Sequence, residues 1–165
     1  MKRIIVYSSQ TGFTERYAKW IAKALDCESI PLKQASKEAL SGYDKVIYGG
    51  WVMGNMIFGL DKLLNITPNP EAVFAVGSTP ASDDITAAIK EQNKLESTPL
   101  FYMQGGFAFE KLAFPQRMIL KVLKKSVAKK ANKSPHDEFM AKTLGTSFDG
   151  SDERQIDSLV NWVSL

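Results

Sequence analysis

The chain has 165 residues, 44% of them hydrophobic, which is enough for one domain whose core needs no covalent staple. Its single cysteine, Cys27, rules out an internal disulfide, and the lack of any Cys-x-x-Cys pair rules out iron–sulfur ligation and zinc ribbons. The net charge of +3 is modest but unevenly placed, because Lys111 to Lys133 holds eight basic residues and no acidic one.

Met1-Lys2-Arg3 leads straight into the apolar run Ile4-Ile5-Val6-Tyr7, a strand rather than a signal-peptide core. No apolar run reaches transmembrane length, so a soluble, cytoplasmic protein is expected. Next comes Ser8-Ser9-Gln10-Thr11-Gly12-Phe13-Thr14, and then an amphipathic segment, Glu15 to Leu25, with Tyr17, Ala18, Ile21, Ala22 and Leu25 on one face and Trp20 at its border. A strand, a hydroxyl-rich turn and a helix start together make an anion site, since the helix presents its unpaired N–H groups and the positive end of its dipole there. The anion can be narrowed. Neither G-x-x-x-x-G-K-[ST] nor G-x-G-x-x-G is present, so nucleoside triphosphates and dinucleotides are disfavoured. One glycine flanked by Ser9, Thr11 and Thr14 suits a compact terminal phosphate held by neutral donors, and FMN carries such a monoester.

The chain then alternates strands and helices. Glu28 to Leu32 is a short second strand, and Lys45 to Gly50 a third, ended by Gly49 and Gly50. Trp51-Val52-Met53-Gly54-Asn55-Met56 reads as a loop before a helix over Ile57 to Leu64, which Pro68 and Pro70 close. Ala72 to Gly77 is the fourth strand, and Ser78 to Asp84 carries caps and acids suited to a helix reaching about Lys94. Leu100 to Met103 is the fifth. Nearly continuous apolar strands joined by crossover helices predict an α/β fold, a parallel sheet covered on both faces. Ligands of such sheets bind beyond the carboxyl ends of the strands, which selects Ser8–Thr14, Gly49–Asn55 and Gly77–Asp83.

After the fifth strand the chain exceeds a minimal five-stranded unit. Gln104 to Phe107 forms a glycine turn, and Phe109, Leu112 and Phe114 a short apolar patch. A helix from about Pro115 to Lys130 is expected to turn Met118, Ile119, Val122, Leu123 and Val127 inward, with lysines on the other side. Asn132 to Asp137 reads as a loop, and Ser151 to Ser164 as a closing helix with Ile156, Leu159, Val160 and Val163 inward. A single domain over 1–165 with a basic helical extension at about 106–135 is expected.

The pattern [ST]-x-T-G-x-T after the first strand resembles the phosphate loop of the flavodoxin family, with Ser9, Thr11, Gly12 and Thr14 on the family's positions. Gly106 to Val122, with Phe109, Lys111, Leu112, Phe114, Arg117, Met118 and Lys121, resembles the flavodoxin-like branch that contains menaquinone-dependent protoporphyrinogen IX dehydrogenase. The resemblance implies a doubly wound sheet of strand order 2-1-3-4-5 and FMN as cofactor. Its phosphate would lie on Ser9, Gln10, Thr11, Gly12, Phe13 and Thr14. Its ring would lie between Gly49, Gly50, Trp51, Val52, Met53 and Gly54 on one side and Gly77, Ser78 and Thr79 on the other. Ordinary flavodoxins bring an aromatic residue over the flavin from the loop after strand four, whereas Gly77 to Asp84 has none.

The expected function is an FMN-dependent oxidoreductase working between a small planar substrate, of quinone or porphyrinogen type, and a redox partner. A soluble electron carrier and a flavin-free binding module are the alternatives. No catalytic side chain, metal site or nucleic-acid partner is expected, since the cofactor carries the electrons. A receiver domain would need acids at the end of the first strand, where Ser8-Ser9-Gln10 has none, and His136, between Pro135 and Asp137, reads as an incidental surface residue. The lysine-rich helix is either a solvated face or an attraction for an anionic membrane at the inner surface or for carboxylates on a substrate.

Overall fold

The computed structural model describes residues 1–165. Its strands are β1 (Arg3–Ser8), β2 (Glu28–Pro31), β3 (Lys45–Met53), β4 (Met56–Ile57), β5 (Ala72–Gly77), β6 (Leu100–Gln104), β7 (Gly106–Phe107) and β8 (Phe148–Asp149). Its helices are α1 (Phe13–Ala24), α2 (Lys37–Leu40), α3 (Leu60–Ile66), α4 (Asp83–Gln92), α5 (Phe114–Ala128), α6 (Pro135–Thr143) and α7 (Asp157–Val163). Five strands pair in parallel in the order β2-β1-β3-β5-β6, the doubly wound arrangement expected from the sequence. The strand order reverses beside β1, which leaves a crevice at its carboxyl end.

The sheet is apolar on both sides because each side carries its own core. Ile5, Ile47 and Phe74 pack under α1 and α7, against Tyr17, Ile21, Leu159 and Val163. Ile4, Val6, Tyr48 and Val73 pack on the other side, against Leu40, Leu60, Leu63 and Ile89 from α2, α3 and α4. Burying both faces in this way is the main favourable term in the fold. Arg3 ties the first strand to the last helix, pairing with Glu71 at 2.8 Å and donating to the Val163 carbonyl at 2.7 Å.

The structure departs from the sequence-based expectation at five places. Gly49 and Gly50 do not end the third strand: they lie inside β3, which runs on through Trp51 and Val52 to Met53. Their missing side chains make room for protein, since a Cβ on Gly49 would fall 1.9 Å from Phe74 Cζ and one on Gly50 would fall 2.8 Å from the Phe58 carbonyl. The segment read as a loop is instead a hairpin. Gly54 and Asn55 both take positive φ, 55° and 63°, the requirement of a two-residue turn whose twist suits the flanking strands, and β4 returns antiparallel on β3.

The turn at Gln104–Phe107 is also partly strand, because Gly106 and Phe107 pair antiparallel with Asp149 and Phe148. Between them α5 and α6 form a helical hairpin. Asn132–Asp137 is a loop only as far as Ser134. The Ser134 hydroxyl oxygen accepts from the Asp137 N–H and the Asp137 carboxylate accepts from the Ser134 N–H, both at 3.1 Å, and Pro135 fits the first helical turn. Finally, the apolar stripe of α5 does not turn inward as a whole. Val127 is buried, but Phe114, Met118, Ile119, Val122 and Leu123 are exposed.

Candidate functional site

Ser9 to Thr14, the residues expected to hold a phosphate, run from the carboxyl end of β1 into α1. Gly12 has φ 101°, a left-handed conformation that glycine adopts without a Cβ penalty, and it starts α1 with no side-chain cap. The first α1 backbone bond is from the Arg16 N–H to the Gly12 carbonyl at 3.0 Å, so the N–H groups of Phe13, Thr14 and Glu15 are free to face an anion. The Ser9 hydroxyl oxygen accepts from the Gly12 N–H at 3.2 Å, which curls the loop and leaves its O–H to donate elsewhere. Thr14 is 2% exposed, and it is the sole fully buried polar residue of the chain. Glu15 stands in the first turn, where its charge opposes a phosphate. Lys19 answers it at 2.6 Å, and that bond holds the carboxyl below its usual range.

Alternation along the β3–β4 hairpin sorts its side chains. Val52 and Ile57 face the core below α3 and α4, and Trp51, Met53, Met56 and Phe58 take the other side. The Trp51 and Phe58 rings stack at 4.2 Å between centroids and 16° between planes, and Met53, Met56 and Phe58 are exposed. Beneath them, Tyr48 donates its hydroxyl to the Phe58 carbonyl at 2.5 Å. The result is an apolar and sulfur-rich ledge on the β3–β4 hairpin.

The third segment is held from below by residues that the sequence reading did not single out. Tyr102 Oη donates to the Thr79 carbonyl at 2.7 Å, and Gln104 Nε2 donates to the Ser78 carbonyl at 3.1 Å. Gly77 is glycine because the Tyr102 phenol occupies the space of its Cβ, with Oη 2.4 Å from that position. Burial pushes the Tyr102 hydroxyl well above its ordinary pKa, so it stays a donor. Gln104 is itself fixed. Gln155 accepts from its N–H at 2.7 Å and donates to its carbonyl at 3.2 Å, and Tyr17 donates to the same carbonyl at 2.5 Å. A spacing rule could not have found this network, which joins α1, β6 and the turn before α7.

The helical hairpin stands over two of these segments. Gln10 Nε2 lies 3.5 Å from Gln116 Oε1 at the start of α5, and Thr79 Oγ1 lies 3.5 Å from His136 Nδ1 at the start of α6. His136 is therefore beside the Gly77–Asp83 segment, not on a remote loop.

A flavodoxin-domain family profile matches residues 4–134, well over half of the chain. The chain belongs to the flavodoxin family. Membership of the flavodoxin family assigns this chain a flavin-binding, electron-transfer role and implies FMN as the cofactor. No curated protein matches the chain. Among solved structures, oxidised Flavodoxin 2 from Bacillus cereus is 22% identical at a TM-score of 0.45, over 63% of this chain and 84% of that one. A flavodoxin from the domain Archaea is 14% identical at a TM-score of 0.46 over the full length of both. The Flv1 flavodiiron core from Synechocystis is 17% identical at 0.45, and this flavodoxin-family chain matches 29% of that longer one with 63% of its own length.

The residues present fit FMN. Three free N–H groups at an uncapped helix start, with the hydroxyls of Ser9, Thr11 and Thr14 about them, match a phosphate monoester, and the Trp51–Phe58 ledge offers an apolar plane for a flat ring.

Proposed function

We propose that this flavodoxin-family protein is an FMN-dependent oxidoreductase that exchanges electrons directly with a small planar substrate of the quinone or porphyrinogen type. The observation that carries this is that Trp51, Met53, Met56 and Phe58 make an apolar ledge on the β3–β4 hairpin while the Ser78–Ser82 segment has no aromatic side chain. A ring resting beside that ledge keeps one face open to a flat molecule.

Bound FMN supplies reversible electron and proton transfer. The remaining work belongs to the chain. Ser9, Thr11, Thr14 and the first N–H groups of α1 would hold the phosphate. Trp51, with Met53 and Gly54 on the same strand and turn, would orient the ring from one side. Gly77, Ser78 and Thr79, stiffened by Tyr102 and Gln104, would present backbone from the other. Gln116, 3.5 Å from Gln10, and His136, 3.5 Å from Thr79, place the α5–α6 hairpin beside the crevice.

The test is to load the protein with FMN, reduce it anaerobically and mix it with a soluble quinone in a stopped-flow instrument. Reoxidation that saturates with quinone, yielding quinol with two electrons and two protons gained, supports the reading. Reoxidation by redox proteins alone would make the protein a carrier, and failure to take up FMN would leave a flavin-free binding module.

A further inference from the structure

The inward side of α5 is made by Arg117, Leu120, Lys124 and Val127, the residues of the helix that are partly or fully covered. The opposite pole carries Phe114, Met118, Ile119 and Val122, and Phe114, Ile119 and Val122 are 68%, 66% and 64% exposed. This arrangement inverts the usual surface helix, which turns its apolar stripe to the core. Along one border of the apolar pole run Lys121, Lys125 and Lys129, one helical turn apart and all exposed.

Charge says what covers such a face. All 18 acidic residues lie outside Lys111–Lys133, but only thirteen of the 21 basic ones do, so the rest of the chain is net −5 while this segment carries +8. Of those eight charges, Arg117 and Lys124 lie on the inward side and Lys130 pairs with Asp137 at 2.8 Å, so Lys121, Lys125 and Lys129 are the charges beside the apolar pole, and on an otherwise acidic body they orient it toward a negatively charged surface. A second copy of the chain is a poor occupant. A 15-residue helix is about 22 Å long, so its outer strip offers a few hundred Å², short of the roughly 800 Å² per partner of a stable interface. An amphipathic helix lying in the headgroup region of a bilayer needs no such area, because apolar side chains and lysines add their contributions separately.

We infer that the outer face of α5 docks on anionic lipid bilayers, with Phe114, Met118, Ile119 and Val122 entering the headgroup–acyl boundary and Lys121, Lys125 and Lys129 meeting lipid phosphates. Because Gln116 of the same helix adjoins Gln10, docking sets the Ser9–Thr14 turn one helix diameter, about 10 Å, from the membrane surface. The inference stands on exposure and charge and is independent of the substrate proposed above.

The test is cosedimentation of the full-length protein with vesicles of mixed phosphatidylglycerol and phosphatidylcholine, or of phosphatidylcholine alone. Binding to the anionic vesicles that weakens with added salt is expected. The Lys121→Gln/Lys125→Gln/Lys129→Gln variant should lower the partition coefficient about a hundredfold. Ile119→Ser/Val122→Ser should lower it about tenfold or more. Both variants alter exposed positions and should keep the wild-type circular dichroism and melting temperature. No binding to anionic vesicles, equal binding to neutral ones, or wild-type binding by both variants would overturn the inference. So would a lipid-free dimer in sedimentation velocity that Ile119→Ser/Val122→Ser dissolves, since that assigns the face to a second copy.

Discussion

Phe74 lays its ring across Gly49, so that a Cβ added to the glycine would sit 1.9 Å from Cζ and 2.3 Å from Cε2. Both residues are central in the sheet, paired with each other between β3 and β5, and Phe74 is fully buried. Gly49→Ala should therefore destabilise the fold by about 1–3 kcal/mol through overpacking, seen as a lower urea midpoint at unchanged slope. Adding Phe74→Leu should recover part of that loss. A cost that the second change leaves untouched would remove the steric explanation.

Tyr102→Phe deletes the hydroxyl that holds the Thr79 carbonyl at 2.7 Å. The stability cost should be about 1 kcal/mol. FMN affinity, read by quenching of flavin fluorescence, should fall as well, because the Ser78–Thr79 backbone loses one of its two tethers. Unchanged affinity would move the ring away from this segment.

Thr11→Ala and Thr14→Ala address the phosphate. Each should weaken FMN binding by about 1.5–3 kcal/mol if its hydroxyl donates to the charged monoester, and leave riboflavin binding nearly unchanged. Equal losses with FMN and riboflavin would mean that the threonines support the loop without touching the phosphate.

Acid stability should report on Asp149, which Arg16 of α1 meets at 2.6 Å. Burial alone would raise its pKa, but hydrogen bonds from Ser151 and Arg16 outweigh that and hold it below the ordinary value. A depressed folded pKa stabilises the native state above the unfolded value, about 3.9, and the contribution drains away as pH falls through the folded one. The melting temperature of Asp149→Asn should thus lie below wild type at neutral pH and approach it from about pH 4 downward. A constant gap across that range would show that ionisation of Asp149 is not what stabilises.

The parallel strands and the turn before α1 were legible because each rests on local pattern, whereas the order of the strands followed from the resemblance to flavodoxins. Apolar runs of strand length, such as Ala72 to Gly77, and a hydroxyl-rich turn with one glycine leave few alternatives. The Gly49-Gly50 pair misled because glycine signals both strand ends and close packing, and only the position of Phe74 distinguishes them. The stripe on α5 was visible as periodicity, yet periodicity gives the width of a face and not its direction. Val127 turned inward while Phe114 and Ile119 did not. The start of α6 could have been read, since Ser134-Pro135 followed by Asp137 is a capping pattern. Gln104 and Gln155 could not, being 51 residues apart and ordinary in type.

The antiparallel pairing of Gly106 with Asp149 and Phe107 with Phe148 has a consequence for how this molecule can vary. The backbone leaves and re-enters the domain at adjacent points, so residues 108–147 form a cassette on a two-stranded stem. Such a cassette can be shortened, exchanged or grafted onto a kindred scaffold without re-threading the sheet. Joining Gly106 to Asp149 by a brief turn would expose the bare five-stranded unit, separating what the crevice does from where the appendage takes it.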